Sequence, residues 1–320
     1  MRGARYVLKR AGFALLTAFV AVTLNFVLFR ALPGTAVSDL SRVPNATAAT
    51  QRALVHTFGL DKSKWDQYVI YLRELAQGDL GISYDNQQPV ADNLTAALGN
   101  TVPMVGLATL LAIWLGLLTG VVSAWRRGTV LDHVSTSAAI VFFSFPVQWL
   151  GLMLLIVFAG NLPTGGMTDA FLINPSFLTH VGDVLTHMAL PAMTLALGLY
   201  GVFTLIVRSA MLETLGEDYI LTARAKGLSP WQVVRRHALP NAMLPTATLI
   251  ALSLGQIVAG AILVETVFSW PGIGLAVYQA VLDRDYPTLQ GAFLLLTVSV
   301  VACNFLADLL YLKLDPRISE

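Results

Sequence analysis

The sequence predicts an all-α, polytopic membrane protein. It has six transmembrane helices, a structured extracytoplasmic loop after the first helix, and a cytoplasmic helical hairpin between the fourth and fifth. Three observations predict this. Of 320 residues, 56% are hydrophobic and 12% are charged, about half the charge of an ordinary soluble protein. So apolar a chain has too little polar surface to cover a soluble core, and disorder is excluded for the same reason. Six stretches approach the ~20 residues that cross a ~30 Å hydrocarbon layer: Gly12–Phe29, Thr101–Trp125, Val134–Ala159, Met188–Val207, Met243–Phe268 and Leu289–Leu312. Finally, basic residues are distributed unevenly. The segments 126–133 and 208–242 hold 2 and 5 Lys+Arg, whereas 160–187 and 269–288 hold 0 and 1. The basic segments belong inside, so both termini and residues 208–242 are expected in the cytoplasm. A net charge of +1 supplies no bulk field for nucleic acid.

Residues 1–11 form a short basic cytoplasmic end. Gly12–Phe29 follows Arg2, Arg5, Lys9 and Arg10 as a signal peptide's core would. Its apolar run is too long, however, and Phe29-Arg30-Ala31-Leu32-Pro33-Gly34 is a poor cleavage site. It reads as a retained first helix. The outer loop 30–100 contains its own helix. Ser63 is placed to cap it with Asp66 at the third helical position. Trp65, Tyr68, Val69, Leu72 and Leu75 recur at helical spacing, and Gly78 ends it. Residues Gly78–Pro89 form a glycine-punctuated loop, either a lid over the helix ends or an exposed docking projection. The five spans between 101 and 312 follow. Gly116-x-x-x-Gly120 in the first of them is a close-packing pattern, and residues 313–320 form the cytoplasmic C-terminus.

The inner segment 208–242 mixes polar and apolar residues between two spans. Glu217 and Asp218 precede, and Arg224 and Lys226 close, a short helix whose charges match its macrodipole. Gly227 is placed as a left-handed cap. Ser229 caps a second helix that begins at Pro230 and passes His237 before Pro240 ends it. The pair makes either a knob for a soluble partner or an amphipathic hairpin on lipid headgroups.

Little else carries chemistry. The chain lacks a Gly-x-x-x-x-Gly-Lys-[Ser/Thr] phosphate loop, His-Glu-x-x-His and Gly-x-Ser-x-Gly, so energy is expected from a partner or a gradient. Arg30, Arg208, Glu265 and Asp308 all fall near span ends, unlike a midplane proton relay. Glu265 reads as a snorkelling anchor beside an interfacial Trp270, or as a polar group at an outer gate. Asn25, Gln256, Ser253 and Asn304 are placed to line a pathway or to bond between helices. His180 and His187 stand seven apart and read as structural, with no metal site. Cys303 has no disulfide partner. Asn45-x-Thr47 and Asn93-x-Thr95 match a glycosylation acceptor by chance.

Asp218-Tyr219-Ile220-x-Thr222-Ala223-Arg224-Ala225-Lys226-Gly227-Leu228-Ser229, followed by His237-Ala238-Leu239-x-Asn241-Ala242-x-x-Pro245, resembles the cytoplasmic signature of bacterial ABC-importer permeases of the dipeptide/oligopeptide/nickel type. The resemblance covers nearly the whole chain. It includes Gly78-Asp79-Leu80-Gly81-x-Ser83, Phe145-Pro146, His187-x-x-Leu190-Pro191, Val264 to Gly274, Asp285-Tyr286-Pro287 and Asp315-Pro316-Arg317. The order and the long first outer loop are similar to the B-type subunit, with Asp85-Asn86-Gln87-Gln88 as a departure. The resemblance implies import of di- or oligopeptides, with nickel or glutathione as alternatives inside the family and a secondary transporter outside it. It implies a second homologous permease, two ATPase subunits or domains that hold ATP and Mg, and an extracytoplasmic binding protein. This chain itself would be non-catalytic and without cofactor. Glu217, Asp218, Tyr219, Thr222, Ala223, Arg224, Ala225, Lys226, Gly227, Leu228, Ser229 and His237 are implied to contact the ATPase. Gly78, Asp79, Asp85 and Gln87 are candidates for binding-protein docking, and Gln256, Glu265 and Asn304 for the pathway or outer gate.

Overall fold

The computed structural model describes residues 2–31, 62–243, 246–247 and 261–314. In chain order its helices are α1 (Arg2–Ala31), α2 (Lys64–Ala76), α3 (Val90–Trp125), α4 (Val130–Ser144), α5 (Val147–Phe158), α6 (Phe177–Leu215), α7 (Asp218–Ala225), α8 (Pro230–Val233), α9 (Ile273–Asp283) and α10 (Tyr286–Leu314). A π-helical turn, Val234–Ala238, continues α8. Residues 261–267 are helical as well. Among the described residues extended pairing is confined to two isolated bridges, one of them Ile82 with Pro89.

Four of these helices are long and apolar enough to cross a bilayer: Tyr6–Phe29 within α1, α3, α6, and Tyr286–Leu306 within α10. The third expected span, Val134–Ala159, is not one continuous rod. It is the pair α4 and α5, bent by 107°. The cause is local. Phe145 precedes a proline and sits at φ −75°, ψ 131°, and Pro146 at φ −58°, ψ 129°, the extended region to which such residues are driven. The expected span Met243–Phe268 lies largely outside the described residues, which therefore hold four continuous spanning helices and the one bent pair. Both α3 and α6 outrun their expected spans. The first starts at Val90 instead of Thr101, and the second extends to Phe177 and Leu215.

α3 and α6 form a parallel central pair. A Cβ on Gly116 would lie 2.5 Å from Phe203 Cβ, and one on Gly120 would lie 2.8 Å from the Thr204 carbonyl oxygen. The expected close-packing pattern therefore does bring two backbones together. α4 runs antiparallel across α6, where Gly201 admits the Ala139 carbonyl and Phe143. The central core gathers Met104, Leu190, Phe203, Phe268 and Trp270.

α1 and α10 are antiparallel at the periphery. Arg10 pairs with Asp308 at 3.1 Å near one end, and the rings of Phe29 and Phe293 lie 5.9 Å apart near the other. Asn25 donates to the Gln290 carbonyl at 2.9 Å, so its amide joins helices. α2 lies against α1, with Thr23 and Tyr68 hydroxyls 2.7 Å apart and Phe26 and Tyr68 rings 5.1 Å apart. The beginnings of α3 and α10 meet where Val90 and Leu94 pack over Gly291. The start of α1, the end of α10, and the ends of α3 and α6 therefore share one end of the bundle.

Candidate functional sites: the hairpin, the outer loop and two buried carboxylates

The hairpin at Gly227 forms as its residues dictate. Lys226 closes α7, donating its N–H to the Thr222 carbonyl at 3.1 Å, and Gly227 turns the chain at φ +76°. Ser229 then opens α8 with a full capping box. Its hydroxyl accepts from the Gln232 N–H at 3.4 Å, and Gln232 Oε1 accepts from the Ser229 N–H at 2.9 Å, with Pro230 at the first helical position. Ile220, Ala223, Val233, Val234 and Ala238 are buried in one cluster with Val121 and Ala124 of α3 and Val207, Ala210 and Met211 of α6. The hairpin thus sits on the ends of the central pair. Asn241 ties its two arms, donating to Tyr219 Oη at 3.0 Å and to the His237 carbonyl at 2.8 Å.

Glu217, Asp218, Tyr219, Thr222, Arg224, Ala225, Lys226, Gly227 and Ser229 are exposed, Leu228 and His237 are half-buried, and Ala223 faces inward. Leu221 and Trp231 are exposed too, at 60% and 51%. Apolar side chains on a polar tip are what a protein partner would cover. Beside the tip a groove of about 580 Å³ is lined by Trp125, Arg127, Leu215, Arg224 and Leu228, among others.

The segment Gly78–Pro89 is folded. Gly78 and Gly81 take φ +77° and +86°, Asp79 accepts from the Gly81 N–H at 2.8 Å, and the Ser83 N–H donates to the Gln88 carbonyl at 2.9 Å. Its anchor is Asp285, 2% exposed. That carboxylate accepts from the Ser83 hydroxyl at 2.5 Å, the Tyr84 N–H at 3.1 Å, and the Thr288 hydroxyl and N–H at 2.7 and 3.3 Å. Asp85 and Gln87 remain exposed at the tip, with Gln87 at φ +57°. The loop is thus fastened to the turn before α10 while its tip projects.

Glu265 is neither a snorkelling anchor nor exposed. It is wholly buried. Oε1 accepts from Thr101 Oγ1 at 2.6 Å, and Oε2 from the N–H groups of Gly274 and Leu275 at 2.6 and 3.2 Å. Thr101 Oγ1 accepts in turn from the Ile273 N–H at 2.9 Å. The carboxylate therefore satisfies the free N–H groups that open α9. Glycine is required where it does so, because a Cβ at Gly272 or Gly274 would collide with the Glu265 carboxylate. Trp270 is likewise no interfacial belt residue. It is fully buried and donates Nε1–H to the Asn100 carbonyl at 3.0 Å. The place of Glu265 and Trp270 at the end of an apolar run signals an interface, whereas the groups that bury them, Thr101 and Asn100, come from 164 and 170 residues earlier in the chain.

Asn304 is exposed on α10. Gln256 and Ser253 lie outside the described residues. His187 is buried and its Nδ1 meets Asp183 Oδ1 at 3.2 Å. Among the described residues no three His, Cys, Asp or Glu side chains converge as metal ligands would.

The sequence reading missed one constellation. Asp132, 2% exposed, binds Arg208 in a two-bond ion pair of 2.8 and 3.0 Å. Its partners are 76 residues apart, and no local spacing signals such a pair.

Long apolar rods, one broken span and a capped hairpin seated on the central pair make up an inner-membrane permease. The chain belongs to the binding-protein-dependent transport system inner membrane component family, whose pattern matches residues 96–320. It is 37% identical to the dipeptide transport system permease protein DppB of Escherichia coli (strain K12), over 98% of each chain. It is also 37% identical to the di/tripeptide transport system permease protein DppB of Pseudomonas aeruginosa (strain UCBPP-PA14), again over 98% of each. Among solved structures, the MetNI methionine ABC transporter in inward-facing conformations shares the fold. Its TM-score is 0.56 at 19% identity, covering 69% of this chain and 96% of the other. The protein is therefore a multi-pass inner-membrane transport component.

Proposed function

We propose that this chain is one of two related permease subunits of an importer that carries short peptides inward, delivered by an extracytoplasmic binding protein and driven by ATP hydrolysis on separate ATPase subunits. The observation that supports the peptide substrate is the end-to-end similarity to dipeptide and di/tripeptide permeases. The hairpin supports the coupling role. It is rigidly capped, presents Tyr219, Leu221, Arg224 and Lys226 outward, and rests on the two helices that run through the bundle. In this reading the hairpin seats in a groove on an ATPase subunit. Closure of the ATPases displaces it, and the spans exchange between two states biased from a distant site. Hairpin and termini are cytoplasmic, and the loop tip at Asp85 and Gln87 faces the binding protein.

The test is reconstitution of the complex with its binding protein in liposomes, with uptake of a labelled dipeptide measured beside nickel and glutathione. ATP-dependent dipeptide uptake that requires this chain is the expected result. Uptake of nickel or glutathione alone, or uptake driven by an ion gradient without ATP, would overturn it.

A further inference from the structure

The Asp132–Arg208 pair lies beside the floor on which the hairpin rests. Arg208 stands on α6 between Val207 and Ala210, which contact the hairpin. It donates Nε–H to Asp132 Oδ1 at 2.8 Å and its second terminal nitrogen to Oδ2 at 3.0 Å. Asp132 opens α4 and also accepts from Ser123 Oγ of α3 at 2.5 Å, Thr136 Oγ1 at 3.2 Å and the Gly128 N–H at 2.9 Å. One carboxylate thus joins three helices and the turn between two of them.

Stability alone does not call for a charge here. Burying an ion pair gains little or nothing over well-packed apolar side chains of the same volume. A guanidinium held by two parallel bonds does something that apolar contact does not, because it fixes orientation as well as distance. Further along, Gly201 lets the α4 backbone rest directly on α6 at Ala139. Two points of attachment make α4 follow α6 as a rigid body as far as Ser144. Past the break at Phe145 and Pro146, α5 leans on residues 267 and 268 as well as on α6. A Cβ on Gly151 would meet Phe268 at 3.2 Å, Val267 at 3.4 Å and Thr194 at 3.5 Å.

From this geometry we infer that Asp132 and Arg208 are positioning residues, which lock α4 to the hairpin's floor so that displacement of the hairpin is delivered to the bend between α4 and α5. The inference rests on the coupling role proposed above. The pair touches neither substrate nor nucleotide. It acts by making the near half of the broken span move with α6.

The experiment compares Asp132→Asn, Arg208→Lys and Gly227→Val in the complete complex with binding protein, reconstituted in liposomes. Three quantities are read: the amount of assembled complex, ATP hydrolysis, and dipeptide imported per ATP hydrolysed. Arg208→Lys retains the charge but not the two-bond geometry, which keeps the test open if Asp132→Asn assembles poorly. Dipeptide imported per ATP should fall about tenfold in Asp132→Asn and several-fold in Arg208→Lys, with hydrolysis persisting in assembled complex. An unchanged ratio per assembled complex overturns the inference, whether or not protein levels fall, because the pair then serves folding alone. Loss of assembled complex in both variants overturns it equally. Gly227→Val separates the two layers. If it too leaves the ratio and the assembly unchanged, the coupling role of the hairpin fails. If it alone disturbs them, only the role of the ion pair fails.

Discussion

Gly227 is where the hairpin reading is most exposed to experiment. It sits at φ +76°, and a Cβ built there meets nothing within 4 Å. A larger side chain therefore costs backbone strain only, about 1–2 kcal/mol for a non-glycine residue in the left-handed region, and more for a β-branched one. Against that strain stand Ile220, Val233 and Val234, each no more than 2% exposed. Burying such side chains contributes about 1.5–3 kcal/mol apiece, so together they exceed the strain several-fold. The arms should stay seated and the tip, Lys226 to Ser229, should absorb the distortion. We expect Gly227→Val to reach the membrane at near-normal level while dipeptide uptake falls at least about tenfold. Gly227→Ala should be intermediate, and Gly227→Asn closest to the parent, since asparagine tolerates this region best. The assay is labelled dipeptide uptake normalised to membrane protein, with ATPase co-purification measured on the same sample. Normal uptake in Gly227→Val with the ATPases still bound would refute the reasoning.

Four further outcomes follow from the same geometry. Asp285→Ala strands the Ser83, Tyr84 and Thr288 donors at about 1–3 kcal/mol per buried group. Amide exchange at residues 82–88 should accelerate while the helices stay protected, and unchanged exchange would show that the anchor is dispensable. Gly120→Val drives a side chain into the Thr204 carbonyl and Val207. It should lower folded protein in membranes, by an overpacking cost of about 1–3 kcal/mol. Glu265→Gln can still offer its oxygen to the N–H groups of Gly274 and Leu275 and its amide to Thr101, so uptake and melting temperature should hold. Glu265→Ala should melt lower, whereas abolished uptake in Glu265→Gln would restore a role for the charge itself. Single cysteines replacing Ala225 and Asp85, after removal of Cys303, should label from opposite sides of the membrane. Labelling of position 225 by an impermeant reagent in intact cells would invert the proposed topology.

How much could be read beforehand depended on range. Local rules worked. Ser63 caps α2 and accepts from the Asp66 N–H at 3.1 Å, and the turn at Gly227 and the cap at Ser229 formed as their neighbours required. Gly116 and Gly120 do face a partner helix. What failed were features decided by residues far apart in the chain. Glu265 and Trp270 sit at the end of an apolar run, which reads as a membrane boundary, yet Thr101 and Asn100 from the start of the bundle hold them inside. Asp132 and Arg208 show no spacing that pairs them. The bend at Pro146 was visible as a residue type, but hydrophobicity alone ran straight through it.

The length of α3 has a mechanical consequence. At 36 residues and 1.5 Å of rise each, it is a rod of about 54 Å, longer than a ~30 Å hydrocarbon layer is thick. Its first residue, Val90, follows directly on the outer loop and donates its N–H to the Gly81 carbonyl at 3.0 Å. Near its last turn, Val121 and Ala124 form part of the hairpin's floor. Pro103 interrupts the helix within, removing one backbone bond and weakening the rod there. Two residues before it, Thr101 is gripped by Glu265. The rod's weak point thus lies beside its fastening at Glu265, and the arm beyond it is fastened again where Ser123 meets Asp132. A rod weakened at one point yields there before it swings as a whole, so the two arms can tilt independently about Pro103. The arm from Pro103 to Trp125 is the longer of the two.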